Sequence, residues 1–109
     1  MIFFSKSFVR EVKKLSKKNR GLKKDVITLA NQIESQKVEG DRIPGFSNDV
    51  VLKVRLQNAE NKKGKSSGYI IIYCVQKKED YYFLSIYSKN ELSTLTAKDI
   101  QKYIKSMTQ

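Results

Sequence analysis

The sequence predicts an α+β fold in which an N-terminal helical hairpin packs on a small twisted antiparallel sheet, with a helix at the C-terminus. Three observations predict this class. Apolar residues recur at helical spacing in the first third of the chain, alternate with polar residues from Val50 to Gln57, and follow a helix-start signal near Thr96. The 109 residues match the length of one domain spanning 1–109.

The first third of the chain predicts a strand and two helices. Ile2–Phe4 is apolar, and either Ser5 or Ser7 suits the N-cap of the first helix. Asn19–Gly21 interrupts the helical pattern, so the two helices form a hairpin that needs a sheet to pack on. The apolar face of the first helix comprises Phe8, Val12 and Leu15. That of the second comprises Leu22, Val26, Leu29 and Ile33.

The middle of the chain predicts a loop and three strands. Val38–Asn48 contains Gly and Pro and indicates a loop. From Val50 to Leu56 the alternation puts apolar side chains toward the helices and basic ones toward solvent. Tyr69–Val75 and Tyr81–Ser88 are rich in β-branched and aromatic residues, and the short charged connection between them is typical of a hairpin.

The last segment begins with a capping box. Thr96 suits the N-cap, Asp99 stands three residues later, and Leu95 and Ile100 occupy the positions of a hydrophobic staple. The predicted buried face of this helix comprises Ile100, Tyr103, Ile104 and Met107.

Charge is concentrated at the N-terminus. Twenty-two Lys and Arg against eleven Asp and Glu give +11, and residues 1–24 hold nine basic residues and one acid, or +8. Such an excess favours a polyanionic partner, either nucleic acid or an acidic protein. The stripe that includes Lys13 and Lys17 is therefore either a solvated helix face or a docking surface for RNA phosphates.

Residue counts exclude several classes of site. With no His and one Cys, Cys74, the chain lacks the residues for an internal disulfide, a His- or Cys-ligated zinc site or a Ser-His-Asp triad. Cys74 lies in an apolar run and is expected to be a small buried residue. No apolar run approaches the length of a membrane span, so we expect a cytoplasmic protein with no membrane partner.

Basic and aromatic residues from separate segments are predicted to meet on the sheet. The cations are Lys53, Arg55, Lys62, Lys63, Lys65 and Lys89, and the aromatic residues beside them include Tyr69 and Tyr87. Adjacent strands lie about 5 Å apart, so these groups can share one face. Cations bind phosphates and rings stack on bases, which suits single-stranded RNA. The alternative is a solvated charged face with its aromatic residues in the core.

RNA cleavage is one chemistry open to such a face. A ribose 2′-hydroxyl needs a proton acceptor, the leaving oxygen needs a donor, and the phosphate needs positive charge. Lys63 or Lys65 suits the acceptor because neighbouring cations lower a Lys pKa. Tyr87 suits the donor and Arg55 the phosphate clamp. The chemistry becomes effective when a large partner orients the RNA.

Four short motifs resemble the RelE superfamily of toxins, and among them the HigB-like branch. They are Arg42-Ile43-Pro44-Gly45, Leu52-Lys53-Val54-Arg55, Lys63-Gly64-Lys65-Ser66-Ser67-Gly68-Tyr69 and Ile86-Tyr87-Ser88-Lys89-Asn90-Glu91. The resemblance implies a RelE/ParE-like toxin of a type II toxin–antitoxin system that cleaves mRNA on the ribosome without a metal or other cofactor. It also implies a cognate antitoxin with an acidic segment or a helix-turn-helix. Arg55 and Lys65 match basic residues of the family's active surface, and Lys89 matches the Lys of its strand-end motif.

One position departs from the family pattern. The family has Gly-Gly-x-Arg where this chain has Ser67-Gly68-Tyr69-Ile70, and Ile70 has no hydrogen-bond donor on its side chain. Loss of such a donor costs on the order of a hundredfold in rate. The resemblance therefore leaves three hypotheses: compensation by Arg55 and Lys65, a weakened member that binds RNA, and a ParE-like inhibitor of DNA gyrase that is not an enzyme.

Overall fold

The computed structural model describes residues 1–46, 49–57, 68–89 and 95–108. These residues form an α+β fold of three helices and a five-stranded sheet, so the predicted class is confirmed. The elements in chain order are β1 (Ile2–Phe4), α1 (Lys6–Ser16), α2 (Leu22–Glu34), β2 (Asp41–Arg42), β3 (Val50–Leu56), β4 (Tyr69–Gln76), β5 (Asp80–Ser88) and α3 (Ala97–Thr108).

The sheet is mixed, which corrects the prediction of an antiparallel sheet. Its order is β1-β5-β4-β3-β2, and every pairing is antiparallel except that of β1 with β5. In that parallel pair Ile2 lies opposite Tyr81 and Phe4 opposite Phe83. The pairing joins strands at opposite ends of the sequence, so no local signal could reveal its direction.

β2 corrects the prediction that 38–48 is entirely loop. Asp41 pairs with Lys53 and Arg42 with Leu52, which adds an edge strand of two residues. The preceding Gly40 permits the close approach, because a β-carbon there would lie 2.5 Å from the carbonyl oxygen of Lys53. Two residues are too few to show an alternation, so only the contact with β3 defines this strand.

Both faces of the sheet carry a core. The first face packs on α1 and α2, and its buried residues include Phe8, Val12, Leu22, Val26, Leu29, Ile33, Leu52, Tyr69, Ile71, Tyr73 and Phe83. The second face packs on α3, and its buried residues are Phe46, Val51, Ile72, Cys74, Leu84, Ile100 and Ile104. The predicted buried faces of all three helices are confirmed.

Side-chain caps fix the starts of two helices where the sequence predicts them. Of the two candidate serines, Ser5 is the N-cap of α1: its Oγ accepts from the Phe8 N–H at 2.9 Å and donates to the Leu84 carbonyl at 3.0 Å. At α3 the Thr96 N–H donates to the Asp99 carboxylate at 3.1 Å, and the Asp99 N–H donates to the Thr96 hydroxyl at 3.2 Å. This reciprocal pair of hydrogen bonds confirms the capping box predicted for α3.

The β4–β5 connection is the predicted tight hairpin. Its turn covers 77–79, and Lys77 and Lys78 adopt positive φ values of 52° and 66°. Farther along, a β-bulge between Ile72 and Tyr73 shifts the register with β5. Among the described residues, no helix has the length and apolar character needed to cross a membrane.

Candidate functional site

The strand register places Arg55, Ile70 and Tyr87 in one row across the sheet. Arg55 lies opposite Ile70 on β4, and Ile70 lies opposite Tyr87 on β5. Directly paired residues share a face, so all three belong to the face that α3 partly covers. Two strand spacings separate the backbones of Arg55 and Tyr87, or about 10 Å. The structure therefore brings these two candidate residues together around Ile70.

Lys89 lies at the same corner of the sheet. Its N–H donates to the Gly68 carbonyl at 2.9 Å, which continues the β4–β5 ladder beyond Tyr69 and Ser88. Arg55 approaches Gly68 from the other side: its Nε would lie 3.7 Å from a β-carbon built on this glycine. Arg55 and Lys89 thus flank one glycine, and alternation along β5 puts Lys89 on the face that carries Tyr87.

Gly68 is suited to this corner by its backbone. Its φ is +155°, and a β-carbon would also lie 3.1 Å from the Leu56 carbonyl oxygen. A side chain at this position would press on β3 and stand beside the guanidinium of Arg55. The absence of a side chain therefore lets Arg55 lie against the backbone of the neighbouring strand.

Lys53 adds a further cation to this face. It precedes Arg55 by two residues on β3, pairs with Ile72 and is exposed, as Arg55 is. Two residues along a strand span about 7 Å. Lys53 therefore adds positive charge to this face, but it lies near the middle of β3, opposite Asp41 of β2. We call Arg55 and Lys89, the two cations that flank Gly68, the basic corner.

Tyr87 stands at the boundary between the basic corner and the core. It is half-buried and packs on the apolar cluster that Ile100 and Ile104 of α3 cover. Ile70 beside it is also half-buried. A packed aromatic ring has few rotamers available, so the core fixes the position of Tyr87 next to the exposed cations.

Tyr69 belongs to the core, which corrects its prediction as an RNA-binding residue. Its exposed fraction is 8%, and its ring packs under α1 and α2 on the opposite face from Arg55. Its hydroxyl lies 3.4 Å from the side-chain nitrogen of Asn19, a residue that is itself buried. Because alternate residues of a strand face opposite ways, the ring of Tyr69 cannot join the row of Arg55.

The predicted basic stripe lies on the helical hairpin. Lys13 on α1 and Lys17 at its C-cap are both exposed. The Asn19–Tyr69 contact places the α1–α2 turn at the same end of the sheet as the basic corner, but over the opposite face. The structure therefore brings Lys17 to the same end as Arg55 without placing both on one surface.

Three predicted site residues, Lys62, Lys63 and Lys65, lie outside the described residues. The described chain stops at Gln57, which follows the partner of Tyr69 on β3, and resumes at Gly68. The expectation that Lys63 or Lys65 accepts a proton stays a prediction.

Sequence reasoning missed the contact of Glu11 with β5. The Ser85 hydroxyl donates to its carboxylate at 3.2 Å, and the Ile86 N–H also donates to it. β1 ends at Phe4, and Glu11 covers the β5 edge beyond it. Burial raises the pKa of this carboxyl, opposed by those two hydrogen bonds and by the charges of Arg10 and Lys14. The signal available in the sequence was that Glu11 is the lone acid among the nine bases of 1–24.

Among the described residues, the other reactive groups suggest no further chemistry. Cys74 is buried as predicted, and burial raises the pKa of its thiol to about 11, which keeps it protonated at neutral pH. Within the described ranges no group of three or more Cys, Asp or Glu side chains is placed to hold a metal ion.

Sequence comparison with family models and with curated proteins identifies no relative. No protein-family model matches the chain. No curated protein matches it in sequence either. The functional conclusion therefore depends on the residues of the basic corner and on the motifs that carry the resemblance.

Proposed function

We propose that this protein is the toxin of a type II toxin–antitoxin pair, of the RelE superfamily and HigB-like, and that it cleaves mRNA on the ribosome. The α+β fold, with a helical hairpin on one face of the sheet, is compatible with this proposal. The excess of positive charge supports a polyanionic target.

The observation that carries the proposal is the row of Arg55, Ile70 and Tyr87 beside Lys89. Three groups from two segments of the chain lie there: the guanidinium of Arg55 on β3, and the phenol of Tyr87 and the ammonium of Lys89 at the end of β5. A guanidinium binds a phosphate through two parallel hydrogen bonds, and an ammonium contacts it as a point charge. A packed phenol next to them is a hydrogen-bond donor at a fixed position.

The proposed reaction uses side chains alone. The 2′-oxygen of one nucleotide forms a bond to the adjacent phosphorus while the bond from phosphorus to the 5′-oxygen breaks. Lys63 or Lys65, in its neutral form, takes the 2′ proton, and the Tyr87 hydroxyl gives its proton to the 5′-oxygen. The products are a 2′,3′-cyclic phosphate and a 5′-hydroxyl, and water returns the protons. Arg55 stabilises the charge that develops on the phosphate.

The ribosome supplies orientation in this proposal. Placing the reacting atoms correctly accounts for several kcal/mol of a reaction barrier. A lysine is therefore a sufficient proton acceptor when a partner holds the mRNA in position. The exposed cations Lys13 and Lys17 then contact ribosomal RNA. We further propose a cytoplasmic location and a cognate antitoxin, with an acidic segment or a helix-turn-helix, that neutralises the toxin.

Induced expression in bacterial cells tests the proposal. We expect protein synthesis to stop early and mRNA to be cut inside translated regions, with the new 5′ ends mapped by primer extension. Arg55→Ala together with Lys65→Ala should abolish both effects. Arg42→Ala together with Lys102→Ala removes the same charge from exposed positions outside the basic corner, so it should leave both effects unchanged.

Cells that keep translating, or that arrest with intact mRNA, would contradict the nuclease proposal. Equal loss of cleavage in the two double variants would show that net charge matters and the basic corner does not. Purified variants with unchanged circular dichroism exclude misfolding as the cause of either result.

Ile70 favours a second candidate, a ParE-like inhibitor of DNA gyrase without enzymatic activity. Ile70 occupies the centre of the row, between Arg55 and Tyr87, where the family pattern has an Arg. Its apolar side chain provides no charge to a phosphate at that point. A scaffold that binds without cutting needs no such group.

The Ile70→Arg variant separates the two candidates. If this protein is a weakened nuclease, Ile70→Arg should increase mRNA cleavage, because the guanidinium would enter the row beside Arg55. If it is a gyrase inhibitor, the parent protein should cause DNA damage with intact mRNA, and Ile70→Arg should create no cleavage. Thermal unfolding shows whether the half-buried position accepts the larger side chain.

A further inference from the structure

A cavity of about 400 Å³ opens at the far end of the sheet from the basic corner. It lies where α2 ends, β3 begins and the β4–β5 hairpin turns. Its walls are apolar side chains of Ile33, Val38, Leu52 and Val75, with the rings of Tyr73 and Tyr81 beside them. A volume of this size is typical of pockets that hold a ligand or an anchoring side chain.

Hydrogen bonds fix the wall of the cavity that follows α2. The Lys37 N–H donates to the Gln32 carbonyl at 2.9 Å, and Gln36 takes a φ of 63° to make this turn. The Gly40 N–H then donates to the Tyr73 hydroxyl at 2.8 Å. The wall is therefore held on both sides before any ligand arrives, which reduces the entropy that binding must overcome.

The charge around the cavity is opposite to that of the whole protein. Residues 33–41, 49–50 and 75–81, which we call the acidic end, carry six acids and three lysines, or −3, whereas the rest of the chain carries +14. Glu39 lines the cavity itself. Asp49 precedes Val50 and accepts a hydrogen bond from the Gln76 side chain at 3.3 Å.

Two further acids lie beside the cavity. Glu34 follows Ile33 and Asp80 precedes Tyr81, and their carboxylates lie 3.1 and 3.7 Å from the Met1 ammonium. The acidic end therefore already binds one ammonium group, while the exposed Glu39 adds negative charge to the cavity wall.

We propose that the cavity is a docking site for a partner protein, and that it binds a segment in which a bulky apolar side chain is flanked by Lys or Arg. The apolar side chain fills the cavity between Leu52 and Val75, and the flanking cations pair with Glu39 and its acidic neighbours. Val50 is 37% exposed and lies at the mouth, so an entering side chain covers it. Nucleic acid and acidic segments are repelled at this end. The inference does not depend on the proposed nuclease activity.

A tryptophan peptide tests the proposal directly. The protein contains no Trp, so the emission of Ac-Lys-Lys-Trp-Leu-Lys-Lys-NH2 reports the peptide alone. We expect saturable binding with a blue shift as the indole leaves water. The acidic counterpart, with Glu in place of Lys, should not displace it. Amide shifts in an NMR titration should be confined to the cavity walls, at Val38 and Val75 above all.

Matched variants locate the binding. Val50→Arg places a cation at the mouth of the cavity and should weaken the binding of the lysine peptide by about tenfold or more. Ile27→Arg makes the same change on α2 at a residue that is 54% exposed, and it should have no effect. Glu39→Gln should weaken binding severalfold, and its control Asp25→Asn, at the start of α2, should not.

Three results would overturn the proposal: no saturable binding, equal weakening by Val50→Arg and Ile27→Arg, or displacement by the acidic peptide. If Val50→Arg fails to fold, Glu39→Gln decides the outcome through the same titration. Because the assay uses purified protein without ribosomes, its result is independent of whether the protein cleaves mRNA.

Discussion

The two ends of the sheet have opposite character although the same three strands build both. At one end Leu56, Tyr69 and Ser88 adjoin the basic corner, and at the other Val50 and Asp80 belong to the acidic end. The first and last residues of β3, Val50 and Leu56, lie about 20 Å apart. The net charge of +11 therefore describes neither end, and the two ends suit partners of opposite charge.

A tyrosine hydroxyl of β4 anchors a connecting segment at each end. Tyr69 contacts Asn19 in the α1–α2 turn at 3.4 Å, and Tyr73 accepts from the Gly40 N–H at 2.8 Å. Both rings are buried on the same face, four residues apart. The buried face of β4 therefore helps to position two separate surfaces. The Tyr69 hydroxyl contacts the α1–α2 turn at one end, and the Tyr73 hydroxyl contacts the segment before β2 at the other.

The largest expected difference between the ends concerns activity. Under the proposed function, Arg55→Ala should lower the initial rate of mRNA cleavage in a cell-free translation reaction about a hundredfold, because it removes the guanidinium proposed to stabilise the phosphate charge. Arg42→Ala, an exposed arginine on the neighbouring β2, should leave the rate unchanged. A similar rate loss in both variants would remove the basis for assigning the chemistry to the basic corner.

At the acidic end the largest expected effect is on stability. A β-carbon on Gly40 would lie 2.5 Å from the Lys53 carbonyl oxygen, so Gly40→Ala must push β2 away from β3. We expect a loss on the order of 2 kcal/mol in the free energy of unfolding, measured in urea. Gly21→Ala is the control, since Gly21 has φ −85° and ψ −1°, which Ala adopts easily. Equal stability of the two variants would argue against the close contact.

The two tyrosines provide a matched pair with a smaller expected effect. Tyr73→Phe leaves the Gly40 N–H without its 2.8 Å partner and should cost about 1 kcal/mol of unfolding free energy. Tyr69→Phe removes a longer contact of 3.4 Å and should cost less. Thermal unfolding of both variants measures the difference, and the reverse order would show that the Asn19 contact is the stronger anchor.

The smallest expected effect is the pH dependence of Glu11. Burial raises the pKa of its carboxyl, so ionisation destabilises the folded chain once the pH exceeds the ordinary value of 4.5. Glu11→Gln keeps an acceptor for Ser85 and should therefore be more stable than the parent at pH 7. The difference should vanish at pH values well below 4.5, as followed by urea unfolding across the pH range.

Asp99 provides the opposite case to Glu11, because its environment lowers the pKa of its carboxyl instead of raising it. Hydrogen bonds from the N–H and hydroxyl of Thr96 lower the pKa of its carboxyl below the ordinary 3.8. Its ionised form therefore contributes stability above that pH, which is lost as the pH falls through the lowered pKa. Asp99→Asn should be less stable than the parent at pH 7. If Glu11→Gln and Asp99→Asn both stabilised or both destabilised the protein at pH 7, the environments assigned to the two carboxyls would be contradicted.

Local chemistry made much of the fold predictable. Ser5 and Thr96 cap helices because a hydroxyl at that position accepts a nearby N–H, and this requires only a few adjacent residues. Alternation along β3 likewise gave the correct face for Lys53 and Arg55. The parallel β1–β5 pair and β2 escaped prediction because contacts between distant segments define them.

The candidate site was predictable only in part, because local patterns give the face of each residue and contacts between distant strands give the rest. Alternation puts Arg55 on the outer face, but only the register with β4 and β5 sets it in line with Ile70 and Tyr87. Alternation also assigns Tyr69 to the face of Tyr73, so its burial was readable from the strand pattern. The cavity had no signal in the sequence, because its walls come from four separate segments.

The parallel pairing of β1 has a consequence for synthesis of the chain. Residues 2–4 are synthesised well before 81–83, yet the two segments align, and the Ser5 hydroxyl donates to the carbonyl of Leu84. β1 is thus synthesised before the hairpin that receives it and takes its place in the sheet after that hairpin has been translated. Long-range pairing of this kind slows folding. In a nascent chain this edge of the sheet can therefore be completed only after β5 has been synthesised.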